Sequence, residues 1–558
     1  MGDFPKDPQL QVERQVSSHE GENSRDVPYL LSENSVRHAQ NMIINEPGRR
    51  RMRPGAQAFG APGGLPGGAT VYNRANSVQR LVGIWGSFPY ISSGNAGWAQ
   101  VASGESMVAS KLHQFKEGRG ASGRALYVCQ CQQGESGPLD QSEILQYDID
   151  TNTATRASGI NPRCIEFFQN RLWAGGLQGA ANAQQDLYWG EVGGGMQFSA
   201  ANSLLIEPGV GGDVTALLTT REESPRLIIF KERAIAVLNP NWGSNSALIP
   251  TAADALDTIN SSVRLLTSGT GCVATRSAIW VPGAEGADVF FLSSDGVRSL
   301  SRAENDVVAG AGLPLSWNAK DIFDRVNWTH ANKAVAVVYD NAYHLALPLD
   351  GAIENTHVAR YDLLNGAWSI HTYGGKDWFV AALASQDKAY FQNNIAVNDS
   401  AATGLAGDDV HQIFRAYSGS LDPGGTNIIM TEESRSFMFQ EPFRKKRWDK
   451  FSMGVGSADT AWFEIAYRVD LGPWTLLASS PVDGANGTIV LGEDQLPWDN
   501  TQDLIRKKQF SLLDTPPGYT IDMRISTMTT VTDAIGQPIV YITEVTGHVM
   551  EDRFESED

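Results

Sequence analysis

Few stretches of this chain hold residue types at spacings that could do chemistry. Gly118-Arg119-Gly120-Ala121-Ser122-Gly123 has the spacing of a pyrophosphate-cradling turn, which works only where a strand feeds a helix whose N-terminus faces the phosphate. Arg124 to Cys131 follows it as a β-run without helical period, so the glycines read as a loop between strands. Asp148-Ile149-Asp150-Thr151-Asn152 sets oxygen ligands two apart, as a calcium loop does. Thr153 stands where that loop needs glycine, and Gly159 where it needs a closing Glu, so a hairpin turn is the better reading. Cys129, Cys131, Cys164 and Cys272 form no Cys-x-x-Cys and have no His pair beside them, which leaves buried free thiols in a reducing compartment. The 9 histidines are scattered, with no ligand pair at helical or strand spacing.

Propellers that carry a pair of carboxylates can hydrolyse glycosides. Ser293-Ser294-Asp295-Gly296-Val297-Arg298-Ser299 approaches the Asp-box of sialidases but lacks its closing Thr-Trp. No carboxylate pair can be chosen from the sequence, and turn aspartates far outnumber catalytic ones, so the expectation is a protein that is not an enzyme. No catalytic residue, cofactor or metal ligand is assigned.

The elements that must carry any site are β-strands. Ile144 to Asp148 with Thr153, Val337 to Asn341 with Tyr343-His344-Leu345, and Ala359 to Asp362 with Asn365-Gly366-Ala367-Trp368 are hairpins in one dialect. Large residues alternate along each strand, and the Asp, Asn and Gly of the turns tolerate the positive φ of short hairpins. Gly at 56, Pro at 25 and Trp at 14 of 558 residues, with 19% charged, describe a turn-rich all-β protein. Four strands between Asn332 and Thr372 make one blade, and the rhythm implies a β-propeller of about six blades. Three regions are expected: residues 1–68 as an N-terminal arm with a flexible Gly/Pro loop, 69–420 as the propeller, and 421–558 as a smaller β-sandwich-like domain with an acidic tail. No apolar run approaches the roughly 18 residues of a membrane helix, and the N-terminus has no apolar export core.

The net charge of −19 argues against a protein that coats nucleic acid, although an acidic wall would let passing DNA slide. Within this acidity stand two basic clusters, Arg49-Arg50-Arg51-Met52-Arg53 and Arg444-Lys445-Lys446-Arg447. Arg49, Arg50, Arg51, Arg53, Arg444, Lys445, Lys446 and Arg447 are therefore the candidates for docking an acidic surface or phosphate, against the alternative of a solvated face.

Asn41-Met42-Ile43-Ile44-Asn45-Glu46-Pro47-Gly48-Arg49-Arg50-Arg51-Met52-Arg53-Pro54-Gly55 resembles the opening of the nozzle, or tubular tail B, proteins of short-tailed bacteriophages. Gln169 to Gly175, Asp186 to Gly190, Leu227 to Lys231, Phe291 to Val297 and Arg444 to Arg447 resemble later segments of that family, so the likeness spans roughly Asn34 to Ser452. The resemblance implies a virion protein of the tail, assembled in the host cytoplasm. Its copies would form a hexameric ring that extends the portal and adaptor channel, retains the genome and passes double-stranded DNA at ejection, with tail fibres or receptor-binding proteins on its sides. It carries over no catalytic residue. The alternatives are a virion-associated propeller glycosidase or depolymerase, and a host-receptor or fibre-docking adhesin.

Overall fold

A computed structural model describes most of residues 10–550; among the stretches outside the description are 132–143, 242–255, 302–312, 399–408, 483–505 and 530–538, together with both ends. The acidic tail and Asp150 lie outside the described residues.

Among the described residues seven blades of three or four strands follow one another around a ring, against the count of about six read from the sequence. Their innermost strands, in chain order, are Pro66–Asn73, His113–Gly120, Pro162–Phe168, Val214–Thr219, Ile279–Val281, Val335–Tyr339 and Trp378–Ser385. The hairpin turns behave as their residues dictate: Asn152, Asp340, Asn341 and Gly366 all take positive φ, where Asn, Asp and Gly are least strained. Strands such as Leu227–Lys231 and Ala342–Leu347 are buried at every position, because each blade is covered on both faces by its neighbours. Gly118-Arg119-Gly120 runs straight into a hairpin in which Gly120 pairs with Gly123, so no dinucleotide turn forms there. All four cysteines are buried free thiols, as their spacing implies.

The ring is closed by the N-terminal region. Ala56–Gly60 pairs with Ile413–Ala416 as the outermost strand of blade seven, after Trp378–Ser385 and Lys388–Asn393. The residues before it do not form a separate arm. Arg49–Met52 and Met42–Glu46 extend the sheet that holds Lys446–Gly456 and Ile539–Val549, and Leu10–Gln15 pairs with Ile539–Val549 as well. His38–Gln40 joins the outer strand of blade six, Ala367–His371, to Ile429–Glu433, so one sheet of nine strands runs from the propeller into the second domain. Met42, Ile44 and Met52 share a core with Trp448, Phe451, Phe463 and Ile525. The residues expected to form an N-terminal arm therefore supply part of the second domain's core, through the alternation of their apolar residues.

A polar cluster lies where the ring closes. Arg53 pairs with Asp422 at 2.6 Å and lies 3.9 Å from the centre of the Tyr373 ring. Close by, His344 contacts Tyr417 and His371. Burial, reinforced by the charge of Arg360, holds the His344 imidazole down at about 3 against its ordinary 6.5. The native state thus binds fewer protons than the unfolded chain between those values. We predict that the contribution of His344 is complete above about pH 6.5 and is lost as pH falls towards 3, with about 2 kcal/mol gone at pH 5. Thermal unfolding at pH 7.5 and 5 checks this, since His344→Gln should narrow the gap between the two midpoints; an unchanged gap would refute it.

Candidate functional site

At the starts of the inner strands, residues of blades one, two, three and five come together. Arg163 follows Pro162 at the start of the blade-three strand, and Thr275-Arg276 precedes Ile279–Val281 in blade five. The Thr275 hydroxyl donates to the Thr215 carbonyl at 2.7 Å, and the Ala336 amide donates to the Arg276 carbonyl at 3.0 Å, which fixes the backbone that presents Arg276. His113 of blade two contacts the Gly67 carbonyl at 3.1 Å. Gly68 takes φ +135°, and a Cβ there would lie 3.1 Å from Phe115 Cε2 and 3.7 Å from Arg276 Nη1. An aromatic edge and a guanidinium thus converge over a residue with no side chain.

The electrostatics here are unbalanced. Arg163 is only 3% exposed, yet its Nε and Nη1 have no hydrogen-bond partner among the described residues; the same holds for Nη1 and Nη2 of Arg276. Neither guanidinium forms an ion pair among the described residues. Burial pulls the Arg276 pKa down, and the opposing influences are Cys131 and Glu354. Burial pushes the Cys131 thiol up while Arg276 and Arg163 pull it back, which places both cations around one thiol. Buried donors without acceptors, and buried charge without countercharge, are each strongly unfavourable. An anion with planar or tetrahedral oxygens would satisfy them, and guanidinium forks suit such groups.

A second cluster sits at the outer edge of blade six. Glu22 Oε2 lies 3.2 Å from His38 Nδ1, which in turn lies 3.9 Å from Asp321 Oδ2. The Glu22 side chain is fully covered, and burial pushes its carboxyl up to about 7 even though His38 opposes this. His38 is raised to about 9 because the Glu22 charge, followed by Asp321 and Glu433, outweighs its own burial. Asp321 stays low, since hydrogen bonds from its neighbours overcome the effect of burial. With Glu22 sealed from solvent, a glycosidic oxygen could not reach it, so the pair is not assigned acid and base roles.

The basic clusters are divided between the surface and the interior. Along the strand Arg49–Met52 the residues alternate outward and inward, so Arg49 and Arg51 are exposed while Arg50 is buried. Arg50 pairs with Glu432 at 2.6 Å and also donates to the Tyr541 carbonyl; Arg53 pairs with Asp422 and donates to Asn41 Oδ1 at 2.9 Å. Lys446 is buried and donates to the Tyr519 carbonyl at 2.8 Å, while Arg444 donates to the Met550 carbonyl at 3.1 Å. Lys445 and Arg447 are exposed, with the Lys445 ammonium 5.9 Å from the Tyr519 ring centre. As docking cations Arg50, Arg53 and Lys446 are thereby corrected, because their charges are satisfied inside the fold. Asp148 Oδ1 accepts the Thr151 amide at 3.2 Å, and Asp295 pairs with Arg298, so both aspartates serve their turns.

No family model matches the chain, and no curated protein matches it. Among solved structures it is similar to the exo-β-1,3-galactanase of Phanerochaete chrysosporium with galactose, at 8% identity and a TM-score of 0.26, covering 89% of this chain and 100% of that one. It is also similar to a glycoside hydrolase family 43 arabinoxylan arabinofuranohydrolase of Bacillus subtilis in complex with cellotetraose, at 8% identity and 0.20, covering 96% and 99%. The third is Trypanosoma rangeli sialidase, at 9% and 0.23, covering 92% and 96%. The structures named are a galactanase, an arabinofuranohydrolase and a sialidase, and none is a tail component. These names run against the expectation of a tail nozzle without enzymatic activity, which is not carried further, and they assign no activity to this chain. At such identities and scores the likeness concerns fold alone, so the chemistry must come from this chain's own side chains. No helix among the described residues is long and apolar enough to cross a membrane.

Proposed function

We propose that this protein is a glycan-processing propeller, a glycosidase for chains that end in an acidic sugar. The observation that carries the reading is the pair of buried guanidiniums, Arg163 and Arg276, each with two nitrogens that have no hydrogen-bond partner among the described residues. A terminal sugar acid offers a carboxylate for the forks and an apolar face for Phe115, whose ring edge approaches Gly68 beside Arg276. Duplex DNA fits less well. It carries a charge about every 1.7 Å, and this chain has a net charge of −19 to set against it. Hydrolysis requires a carboxylate pair, and Glu354, which Arg276 senses and Lys333 holds, is the first to test.

The test incubates the full chain with oligosaccharides that end in a uronic or sialic acid, alongside neutral counterparts, and measures reducing-end release together with binding. Release from the acidic chains and not from the neutral ones is expected. Binding without release would make the protein an adhesin, and neither binding nor release would overturn the proposal.

A further inference from the structure

We propose that Glu22, His38 and Asp321 form a binding site for a divalent first-row transition metal, with zinc as its best occupant. One ligand atom from each residue lies within 4.8 Å of the others. Independently, Glu22 Oε1 is buried with no hydrogen-bond partner among the described residues, while the side chain as a whole is 0% exposed. His38 Nδ1 faces the other oxygen, Oε2, so the lone pairs of Oε1 are left for a further donor or cation.

The remaining atoms are arranged as metal ligands require. The Ala39 amide donates to Glu22 Oε2 at 2.9 Å, and Asp321 Oδ1 takes the Ser24 hydroxyl at 2.5 Å and the Ile322 amide at 2.8 Å. Asp321 is thereby oriented through Oδ1, which leaves Oδ2 for an ion, and Glu22 Oε2, held by the Ala39 amide, is the Glu22 oxygen that faces His38. Metal bonds of about 2.0 to 2.2 Å set neighbouring ligand atoms roughly 3.2 to 3.6 Å apart in a tetrahedron. The separations of 3.2 and 3.9 Å fall at or just beyond that span, so a small inward movement completes the site. One imidazole with two carboxylates favours zinc over magnesium or calcium, which prefer oxygen throughout. His38 and Asp321 are 21% and 39% exposed, which leaves an entry path and room for a water as fourth ligand. The ion would pin Gly21–Glu22 and His38–Gln40 to the helix Lys320–Asp324 between blades five and six. This inference is independent of the glycan reading.

Calorimetric titration of the chelator-treated full chain with Zn²⁺ tests it, with Co²⁺ as a spectroscopic stand-in. One equivalent of Zn²⁺ should bind, Co²⁺ should give visible absorption of mixed nitrogen and oxygen ligation, and His38→Ala should weaken binding about 100-fold. Glu22→Gln should do likewise, whereas His330→Ala should leave binding unchanged. Absence of stoichiometric binding by the unaltered chain overturns the proposal without any variant having to fold. So does binding that survives His38→Ala, or a Co²⁺ spectrum without nitrogen ligation.

Discussion

Asp422→Ala is expected to lower stability by about 3 to 5 kcal/mol, the largest effect of any single side-chain truncation proposed for this protein. The reason is the position of Arg53, whose side chain is 0% exposed while its partner Asp422 is 2% exposed. Arg53 stands just before the closing strand Ala56–Gly60, and Asp422 lies between the last propeller strand Ile413–Ala416 and Ile429–Glu433. Their ion pair joins the point where the chain enters the ring to the point where it leaves. Removing the carboxylate strands a guanidinium in the interior, where Asn41, the Thr372 carbonyl and the Tyr373 face cannot neutralise it. A double replacement, Arg53→Met with Asp422→Leu, should recover most of the loss, because apolar groups of similar volume avoid the desolvation problem. Arg51→Ala, on the exposed face of the same strand, should stay within about 0.5 kcal/mol of the parent. Chemical denaturation of the three variants decides the matter; an Asp422→Ala protein as stable as Arg51→Ala would refute it.

The contrast between Arg51 and Arg53 also shows what the sequence could and could not reveal. Hairpins were legible because their determinants are local: Asp340-Asn341 must turn, and the strands on either side alternate. The interior position of Arg50 had a local signal too, since Arg50 and Met52 share one face of a strand whose other face carries Arg49 and Arg51. A count of charges hides that alternation. The partners of these arginines were not legible. Glu432 and Asp422 lie at the other end of the propeller segment, and only closure of the ring brings them to the arm.

The two candidate sites follow the same rule. Glu22, His38 and Asp321 belong to elements far apart in the chain, so no motif spacing joins them. Arg163 and Arg276 are single arginines at the starts of two inner strands, Pro162-Arg163-Cys164 and Thr275-Arg276-Ser277, and their shared place in the blade gains meaning only once the blades are aligned. Clustered cations drew attention in the sequence and proved in large part structural. Solitary ones, set at equivalent points of a repeated unit, hold the unpaired charge.

For Arg276 the expected result is a separation of binding from stability. Arg276→Ala should weaken binding of acidic oligosaccharides by about 100-fold or more, since truncating a desolvated charged hydrogen-bonding group typically removes 2 to 5 kcal/mol of affinity. Arg276→Lys keeps the charge but not the fork, and should recover only part of it. A structural arginine would behave otherwise: its loss would lower the unfolding midpoint along with binding. Here the terminal nitrogens have no acceptor among the described residues, and burial already acts against the charged form, so the alanine variant should be at least as stable as the parent without ligand. The parent alone should then gain thermal stability when the acidic sugar is added. Titration calorimetry and thermal unfolding on the same three proteins read both quantities. If Arg276→Ala loses stability and retains binding, the Arg276 guanidinium belongs to the fold and not to a glycan.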